Sequence, residues 1–343
     1  MAPDVAAANG TSASSATSTP KPSQKPPIGP NVLEVVFGSL LITPWYPSFY
    51  PEELVGRRVE RLYVCHWCFR YTKELAGFLG HLGKCEQKVC PLHTSPPLGT
   101  RVYRKDNYSI YEIDGEKHKL YAQNLSLFAK LFLDTKSVFY DVTTFLYYLL
   151  VAHEPKPSVP NTDVKDEEKA AGGIHTSTGQ VVGFFSKEKM SWDNNNLACI
   201  LVFPPWQKQG LGQILMGASY EMSRREGRLG GPEKPLSDLG RIAYMHYWSQ
   251  TLARTILSCP SKRTLTVQDL REKTYIMPED IIATLQAMHV LEQKKRGGAE
   301  VVINKAKVRA WAEASKVDLN KLPVDADAFV VREISRSGSE DNL

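Results

Sequence analysis

The chain has 343 residues, enough for two or three domains, and its 42% hydrophobic and 23% charged residues exclude a disordered or fibrous protein. The sequence has no run of 18 apolar residues and no secretory signal, so it predicts a protein that neither spans a membrane nor is secreted. In the reducing compartment that this implies, the six cysteines are predicted to bind a metal or to take part in a reaction rather than to form disulfides. The net charge of +5, from 42 basic and 37 acidic side chains, is too small to predict nucleic-acid binding.

The first part of the chain predicts a tail followed by a β unit. Residues 1–30 predict a disordered tail, because 20 of them are Ala, Pro, Ser or Thr and cannot form a core. An N-terminal β unit is predicted over residues 31–120, with a Cys/His cluster at 61–92. Its predicted strands lie at 35–37, 40–42, 102–104, 109–112 and 119–121.

The middle of the chain predicts a mixed α/β core over residues 121–260. Its predicted elements are a helix at 124–133, strands at 137–152, 181–185 and 198–203, and an amphipathic helix at 214–225. Residues 153–180 have no hydrophobic periodicity and contain a charged run, which indicates an exposed insertion.

The last part of the chain changes to short helices. Helices at 266–273, 278–288 and 305–314, with a strand at 301–303, predict a winged-helix-like subdomain over residues 261–320. Residues 321–343 are predicted to be a largely disordered tail.

Four residues have the spacing of a closed zinc site: Cys65, Cys68, His81 and Cys85. A knuckle would supply the first two ligands, and the following helix would supply the other two from adjacent turns. Cys90 and His93 are second-choice ligands, and His66 is a third. Because the protein fills all four positions, such a zinc would be structural. The alternative is that these cysteines are small buried side chains without a metal.

A turn with two glycines joins the strand at 198–203 to the helix at 214–225. Gly210 and Gly212 would let the backbone amides at the helix N-terminus approach a pyrophosphate closely. The dinucleotide-binding fingerprint is not met, because no third glycine follows at the required offset. From the residues alone, a plain helix N-terminus is an equal alternative.

Several short sequences match one family. They are YRKDN at 103–107, QNL at 123–125, KLFLD at 130–134, YDV at 140–142, GFFSKE at 183–188, NNLACIL at 195–201, QKQGLG at 207–212, PEKPLSDLG at 232–240 and YWSQ at 247–250. Together with the Cys/His cluster, they resemble the MYST histone acetyltransferases over about residues 36–315. The subtype that the chain resembles most is the fungal silencing-type catalytic subunit.

The resemblance implies an α+β fold in which a GNAT-like central α/β core binds acetyl-CoA between the zinc-finger β unit and the winged-helix-like subdomain. Acetyl transfer to lysine needs a neutral amine, and a free lysine has a pKa of about 10.4, so a general base is required. Glu233 matches the family's catalytic glutamate. Cys199 matches its active-site cysteine, which either forms a transient acetyl-thioester or lies beside the acetyl group during direct transfer. Without the resemblance, Glu233 is equally a loop carboxylate that caps the helix after it. The alternative for Cys199 is a buried strand cysteine with a packing role only.

The family's coenzyme site corresponds to strand residues for the acetyl and pantetheine arm, a loop for the pyrophosphate, and two further residues. These are Ile200, Leu201 and Val202; Gln207, Lys208, Gln209, Gly210, Leu211, Gly212 and Gln213; and Ser237 and His246. Relatives usually have two arginines in place of Lys208 and Gln209, and often a serine in place of His246. Lys136 matches a lysine that family members autoacetylate; its alternative is a solvated lysine at a helix end.

The resemblance also implies an acceptor, partners and a location. The acceptor would be a lysine of a histone tail, foremost histone 4, in chromatin silencing or transcription regulation. The partners would be nucleosomes and accessory subunits, and the location the nucleus. Direct DNA contact stays open, because the basic run at 294–296 is too short to predict it. The rival interpretation is a nucleic-acid-binding regulator that uses the zinc finger and the winged-helix-like unit without catalysis.

Overall fold

The computed structural model describes residues 29–87, 98–153, 179–260, 265–293 and 301–330. Most of the predicted N-terminal tail, the predicted insertion and the end of the predicted C-terminal tail lie outside the described residues, as do Cys90 and His93. Within the described ranges, no helix has both the length and the apolar character needed to cross a membrane.

The N-terminal unit is built on a four-stranded sheet in the order β2-β1-β3-β4. Gly38 makes the tight turn from β1 to β2 with a φ of +62°, and a Cβ there would lie only 2.6 Å from Nδ1 of His66. Both strands predicted at the start of this unit are confirmed. The elements are β1 (Val32–Phe37), β2 (Leu40–Ile42), α1 (Glu52–Val55), β3 (Val59–Val64), β4 (Tyr71–Thr72) and α2 (Leu75–Lys84).

The central sheet has five antiparallel strands in chain order, β5 to β9. They are β5 (Thr100–Lys105), β6 (Tyr108–Asp114), β7 (Phe145–His153), β8 (Gly179–Glu188) and β9 (Cys199–Val202). The sequence analysis assigns the first two strands to the N-terminal β unit. In the structure, all seven residues of β6 pair with β7, so the central sheet extends across the boundary predicted at residue 120.

The strand predicted at 119–121, the last one of the N-terminal β unit, is wrong, because these residues begin helix α3 (Lys119–Lys130). Tyr121, Leu125 and Phe128 are buried at the i, i+4, i+7 spacing of one helix face, whereas Leu120 is exposed. The strand predicted from residue 137 begins only at Phe145. Over such short apolar runs, the 3.6-residue period of a helix cannot be distinguished from the two-residue period of a strand.

Two hydrophobic clusters lie on opposite faces of the central sheet. Tyr148 and Leu150 of β7 belong to the cluster that includes the C-terminal helices. Their neighbours Tyr147 and Leu149 belong to the cluster shared with the N-terminal unit and α3. The alternation of a β-strand therefore joins the zinc-finger unit and the helical part through one sheet.

The helical part is arranged around a 21-residue helix that the sequence analysis does not predict, α5 (Asp238–Ser258). The helix that follows the glycine turn is α4 (Leu211–Glu226). The three helices predicted after residue 262 are confirmed, and a short hairpin precedes the last of them. These elements are α6 (Val267–Thr274), α7 (Pro278–Ala287), β10 (Leu291–Gln293), β11 (Val301–Ile303) and α8 (Lys305–Ala314).

Residues 321–330, which the sequence analysis assigns to a tail, are ordered against β5. The ring of Phe329 contacts that of Tyr103 at a centroid distance of 4.7 Å, and the N–H of Val330 donates to the carbonyl of Val102 at 2.9 Å. Asp325 forms an ion pair with Lys105 at 2.6 Å. The burial of Phe329 gives this segment the apolar contact that a disordered tail lacks.

Candidate active site

The four predicted zinc ligands lie together at one end of the N-terminal unit. Their ligating atoms all lie within 4.8 Å of one another. Sγ of Cys65 is 3.8 Å from Sγ of Cys85, and Sγ of Cys68 is 3.2 Å from Nε2 of His81. A tetrahedral zinc with Zn–S bonds of about 2.3 Å would hold two sulfurs about 3.8 Å apart, so the cluster fits zinc. His66, the third-choice ligand, is not part of the cluster.

The fold of the zinc finger presents the ligands from two elements, as the spacing predicts. Cys65 directly follows β3. The N–H of Phe69 donates to the carbonyl of Cys65 at 2.9 Å, and this hydrogen bond forms the tight turn of the knuckle. His81 lies on α2, and Cys85 is the C-cap residue that directly follows this helix. A zinc bound by three thiolates and an imidazole has no open position for a substrate, which makes this site structural.

Glu233 and Cys199 are held by two neighbouring segments. Cys199 is the first residue of β9, and its N–H donates to Oγ of Ser186 at 3.3 Å. The N–H of Glu233 donates to the carbonyl of Leu197 at 2.9 Å, next to a parallel bridge between Leu197 and Pro232. The predicted base and the predicted cysteine are thus fixed on adjacent backbones.

The surroundings of Glu233 favour its protonated form. Partial removal from water raises the pKa of its carboxyl, and the negative charges of Glu188 and Asp193 raise it further, while the ammonium of Lys136 acts in the opposite direction. A carboxylate with a raised pKa is a stronger base once it is ionised. Glu233 is exposed enough to meet an amine substrate, and its raised pKa makes its carboxylate a better proton acceptor than that of a glutamate with an ordinary pKa.

Lys136 and Tyr147 complete this group of titratable side chains. Lys136 is only 6% exposed, and burial lowers its pKa, with the charges of Cys199 and Glu233 opposing that shift. Burial raises the pKa of Tyr147 to about 12, with a smaller contribution from Cys199. The structure excludes a solvated Lys136. The sequence analysis missed Tyr147, because nothing in a run of strand aromatics distinguishes the one that faces the site.

The glycine turn forms the N-terminus of α4. Gly210 is the N-cap residue with a φ of +82°, and the N–H of Gln213 donates to its carbonyl at 3.0 Å. No atom lies within 4 Å of a Cβ built on Gly210 or Gly212. Gly210 is therefore needed for its backbone conformation rather than for space, and the turn is open toward solvent.

A cavity of about 730 Å³ opens at this helix N-terminus. Four of the predicted pyrophosphate residues line it: Gln209, Gly210, Leu211 and Gln213. Its walls also carry the cationic side chains of Lys105, Arg254 and Lys321, which the sequence analysis did not single out. These residues come from β5, α5 and the segment after α8, and only the fold brings them together. The lining also includes Asp106 and Asp325, and Asp325 pairs with Lys105, so the walls are only weakly positive and the cations without a carboxylate partner there are Arg254 and Lys321. The cavity has the size and the open amides suited to a phosphate-bearing ligand.

The other predicted coenzyme residues lie around this cavity or on neighbouring elements. Ile200, Leu201 and Val202 form β9, the last strand of the described sheet, whose outer edge pairs with no described strand. The side-chain amide of Gln207 donates to the carbonyl of Val202 at 2.8 Å, and Lys208 is exposed. An unpaired strand edge can bind the amides of an extended ligand.

Ser237 and His246, both predicted at the coenzyme site, already have local partners and do not line the cavity. Oγ of Ser237 caps α5 by accepting from the N–H of Gly240 at 3.1 Å. Nε2 of His246 lies 2.8 Å from Nε2 of Gln250, one turn further along α5. Gln250 rather than His246 reaches the cavity wall.

An ion pair connects the loop of Glu233 to the C-terminal helices. Nζ of Lys234 lies 2.8 Å from Oδ1 of Asp280 in the first turn of α7. Asp280 is 5% exposed, and Oδ2 has no hydrogen-bond partner among the described residues. Burial raises the pKa of Asp280, and Lys234 opposes that shift. The pair is therefore asymmetric, since a buried carboxylate depends on a lysine that is half exposed.

We expect Lys234→Met to destabilise the protein more than Asp280→Asn does. The first change leaves a buried charge without its partner, whereas the second removes the charge and keeps the shape, so the expected loss is about 1–2 kcal/mol for Lys234→Met and less for Asp280→Asn. Urea unfolding measures both. Arg57→Met, which breaks the exposed Arg57–Glu52 pair, serves as the control and should change stability by less than about 0.5 kcal/mol. Equal stability of Lys234→Met and the parent would contradict this asymmetry.

Comparison with known protein families gives one match for the N-terminal zinc-finger unit and another for the rest of the folded chain. The MOZ/SAS family model matches residues 96–329, and the MYST family zinc finger domain matches residues 30–85. The chain is 38% identical over 294 residues to histone acetyltransferase MOF of Drosophila melanogaster, which covers 86% of the chain and 32% of that protein. It is 37% identical over 302 residues to the histone acetyltransferase Tip60 homolog of Caenorhabditis elegans, which covers 87% of the chain and 59% of that protein. The chain thus spans between a third and three fifths of these relatives.

Proposed function

The chain belongs to the MOZ/SAS family, with a MYST-type zinc finger, and from that premise we propose that it is a lysine acetyltransferase that uses acetyl-CoA. The observation that carries the proposal is the position of Glu233, whose carboxyl has a raised pKa. Glu233 and Cys199 both interact electrostatically with the buried Lys136. Cys199 begins β9, and from the end of β9 the chain runs to the open N-terminus of α4.

In the proposed reaction, Glu233 accepts a proton from the ammonium of the acceptor lysine. The neutral amine attacks the thioester carbonyl, a C–N bond forms, the C–S bond breaks, and the coenzyme leaves as a thiol after protonation. Acetyl-CoA supplies the activated acyl group. The outer edge of β9 binds its amide-containing arm, and the amides of the Gly210 turn bind its pyrophosphate.

Cys199 lies beside the reacting acyl group in this proposal, and transfer to the amine is direct. The N–H of Cys199 donates to Ser186, which fixes the start of β9 next to Glu233. Lys136 is the proposed site of autoacetylation, because burial lowers its pKa and thereby increases the fraction of neutral amine. Its ammonium, when present, holds down the pKa of Glu233, so acetylation would also change the base.

The finer assignments are proposals that rest on the same residues. We propose a histone tail, foremost that of histone 4, as the acceptor; nucleosomes and accessory subunits as partners; and the nucleus as the location. We also propose the fungal silencing-type assignment, a GNAT-like five-stranded core and a winged-helix arrangement of the C-terminal helices. Of the predicted coenzyme residues, Gln209, Gly210, Leu211 and Gln213 have the strongest support because they line the cavity.

Replacing Gly210 tests the coenzyme site directly. We expect Gly210→Val to weaken acetyl-CoA binding at least about tenfold, because a branched side chain disfavours the left-handed backbone that aims the amides of the turn. Calorimetric titration measures the affinity. Gly227→Val is the matched control: Gly227 ends the same helix with a φ of +66°, and a Cβ there also has no atom within 4 Å. Equal binding by Gly210→Val and the parent, or equal loss in both variants, would contradict the site.

The same titration decides between the enzyme and the rival interpretation. Saturable binding of one acetyl-CoA, together with acetyl transfer to a histone-tail peptide detected by mass spectrometry, is expected for the acetyltransferase. A folded, zinc-loaded protein that binds no acetyl-CoA but binds DNA with strong salt dependence would instead be the nucleic-acid-binding regulator.

A further inference from the structure

The loop between β8 and β9, residues 189–198, carries the most exposed large apolar side chains of the described chain. Trp192 is 98% exposed and Met190 is 78% exposed. No ring contact of Trp192 occurs within the described residues. A tryptophan in this state contributes little to the stability of the fold, since it buries almost no surface. Exposed aromatic side chains of this kind are typical of binding surfaces.

The loop is well fixed, so these side chains are presented by a defined backbone. Lys189, at its start, forms ion pairs with Asp114 at 2.7 Å and Glu116 at 3.2 Å. Within the loop, the N–H of Asn195 donates to Oγ of Ser191 at 3.0 Å. A binding side chain on such a support loses little backbone entropy when it is used.

The end of the loop is pressed against the segment that carries Glu233. The N–H of Asn196 donates to the carbonyl of Gly231 at 2.8 Å, and its side-chain amide donates to the carbonyl of Gly230 at 3.3 Å. A Cβ on Gly230 would lie 1.9 Å from the carbonyl oxygen of Asn194, so only glycine allows this approach. The loop that carries Trp192 is therefore packed on the segment that carries Glu233, and we call this loop, together with Glu188 before it, the rim of the Glu233 site.

The charge of this rim is negative. Glu188 and Asp193 lie close enough to raise the pKa of Glu233 by charge repulsion. Among the described residues, none forms an ion pair with either carboxylate. The two lysines at or next to the start of the loop are already neutralised, Lys187 by Glu226 and Lys189 by the pairs given above. An exposed aromatic side chain and unpaired carboxylates on one short segment, here Trp192 with Asp193 and Glu188, can together bind a cationic side chain through cation–π attraction and charge.

We propose that Trp192, with Asp193 and Glu188, is a specificity-determining surface for a basic side chain of the acceptor peptide that lies next to the lysine to be acetylated. This inference rests on the proposed acetyltransferase function, because it assigns the neighbouring residue of that substrate. It restricts the substrate class to lysines in basic segments. An acceptor lysine with only neutral neighbours would enter the same site without this contact.

The test compares two peptides that share a central lysine and differ at its flanks, one with arginine or lysine there and the other with glutamine. Fluorescence anisotropy gives the dissociation constant of each peptide without requiring turnover. The parent is expected to bind the basic peptide at least about tenfold more tightly than the neutral one. Trp192→Ala should weaken binding of the basic peptide about five- to tenfold and leave that of the neutral peptide unchanged. Asp193→Asn should act in the same direction.

Three controls make the outcome specific. Trp192→Phe keeps an aromatic face and should retain part of the preference. Leu120→Ala removes another exposed apolar side chain, on α3, and should change neither dissociation constant. Because Trp192 is exposed, its variants should melt at the temperature of the parent.

The outcomes separate this inference from the proposed function. If the parent does not distinguish the two peptides, or if Trp192→Ala retains the preference, the inference is wrong even when acetyl transfer occurs. If the parent prefers the basic peptide through Trp192 but transfers no acetyl group to either, the inference stands as a peptide-binding surface and the proposed catalysis is contradicted.

Discussion

Glu233→Gln is expected to lower kcat for acetyl transfer at least about 100-fold, which is the lower end of what a positioned general base contributes. Glutamine has the size of glutamate but cannot accept a proton from the amine. The hydrogen bond from the N–H of Glu233 to the carbonyl of Leu197 involves only main-chain atoms, so it should be kept in the variant. Acetyl-CoA affinity, measured by calorimetry, should stay at the parent value. A variant that transfers acetyl groups as fast as the parent would contradict the proposed base.

The pH dependence of kcat provides the control for this prediction. Glu233 acts as a base only when it is ionised, so the rate rises as the pH increases through its pKa. Partial removal from water and the charges of Glu188 and Asp193 raise that pKa, so the acid limb should lie at higher pH than for an ordinary glutamate. Asp193→Asn should move the limb to lower pH, whereas Lys136→Met, which removes an ammonium that lowers the pKa, should move it to higher pH. Shifts in the same direction would contradict the arrangement.

The parts of the molecule that depend on local chemistry were predictable from the sequence. The four zinc ligands follow from spacing, because a knuckle and a helix turn fix the offsets at which their side chains meet. The position of Gly210 follows from its place between a strand and a helix. The helix at 305–314 was predicted with its observed ends, since Asn304 caps it and its apolar residues recur at helical spacing.

Other parts depend on contacts between distant segments. Helix α5 was missed because its apolar residues occur on all sides: Tyr244 and Trp248 are buried, while Leu239 and Ile242 are exposed. Such a helix has weak periodicity. The pairing of β6 with β7 crosses 30 or more residues, and no short pattern specifies the partner of an antiparallel strand.

The neighbours of the proposed catalytic residues also could not be predicted from the sequence. Glu188 and Asp193 raise the pKa of Glu233 although they lie 40 or more residues away in the chain, because the loop after β8 packs on Gly230. The ion pair of Lys234 with Asp280 spans 46 residues. The sequence resemblance supplies Glu233 and Cys199 as the proposed reacting groups, whereas the charges and the burial around them appear only in the folded chain.

Removal of zinc is expected to unfold the N-terminal unit. The elements next to the cluster are β4, which has only two residues, and the short helix α2, and little of their surface is buried. Metal binding therefore supplies much of the folding energy of β4 and α2, as in other zinc fingers. Cys68→Ala removes one ligand and should lower the zinc content and the melting temperature together. Cys259→Ala is the matched control, because Cys259 is a free cysteine at the end of α5, outside the cluster. A zinc-free Cys68→Ala protein that melts like the parent would contradict this prediction.

The loss of zinc should also reach the coenzyme site. Phe69, at the end of the knuckle, contacts the ring of Phe203 at a centroid distance of 5.8 Å, and Phe37 of β1 contacts the same ring at 5.7 Å. Phe203 directly follows β9, the strand proposed to bind the coenzyme arm. If the knuckle unfolds, these contacts are lost and the end of β9 is no longer supported from that face. We therefore expect the chelator-treated protein to bind acetyl-CoA at least about tenfold more weakly in calorimetry, and restored zinc to restore the affinity. Unchanged affinity in the zinc-free protein would show that β9 is held by the central sheet alone.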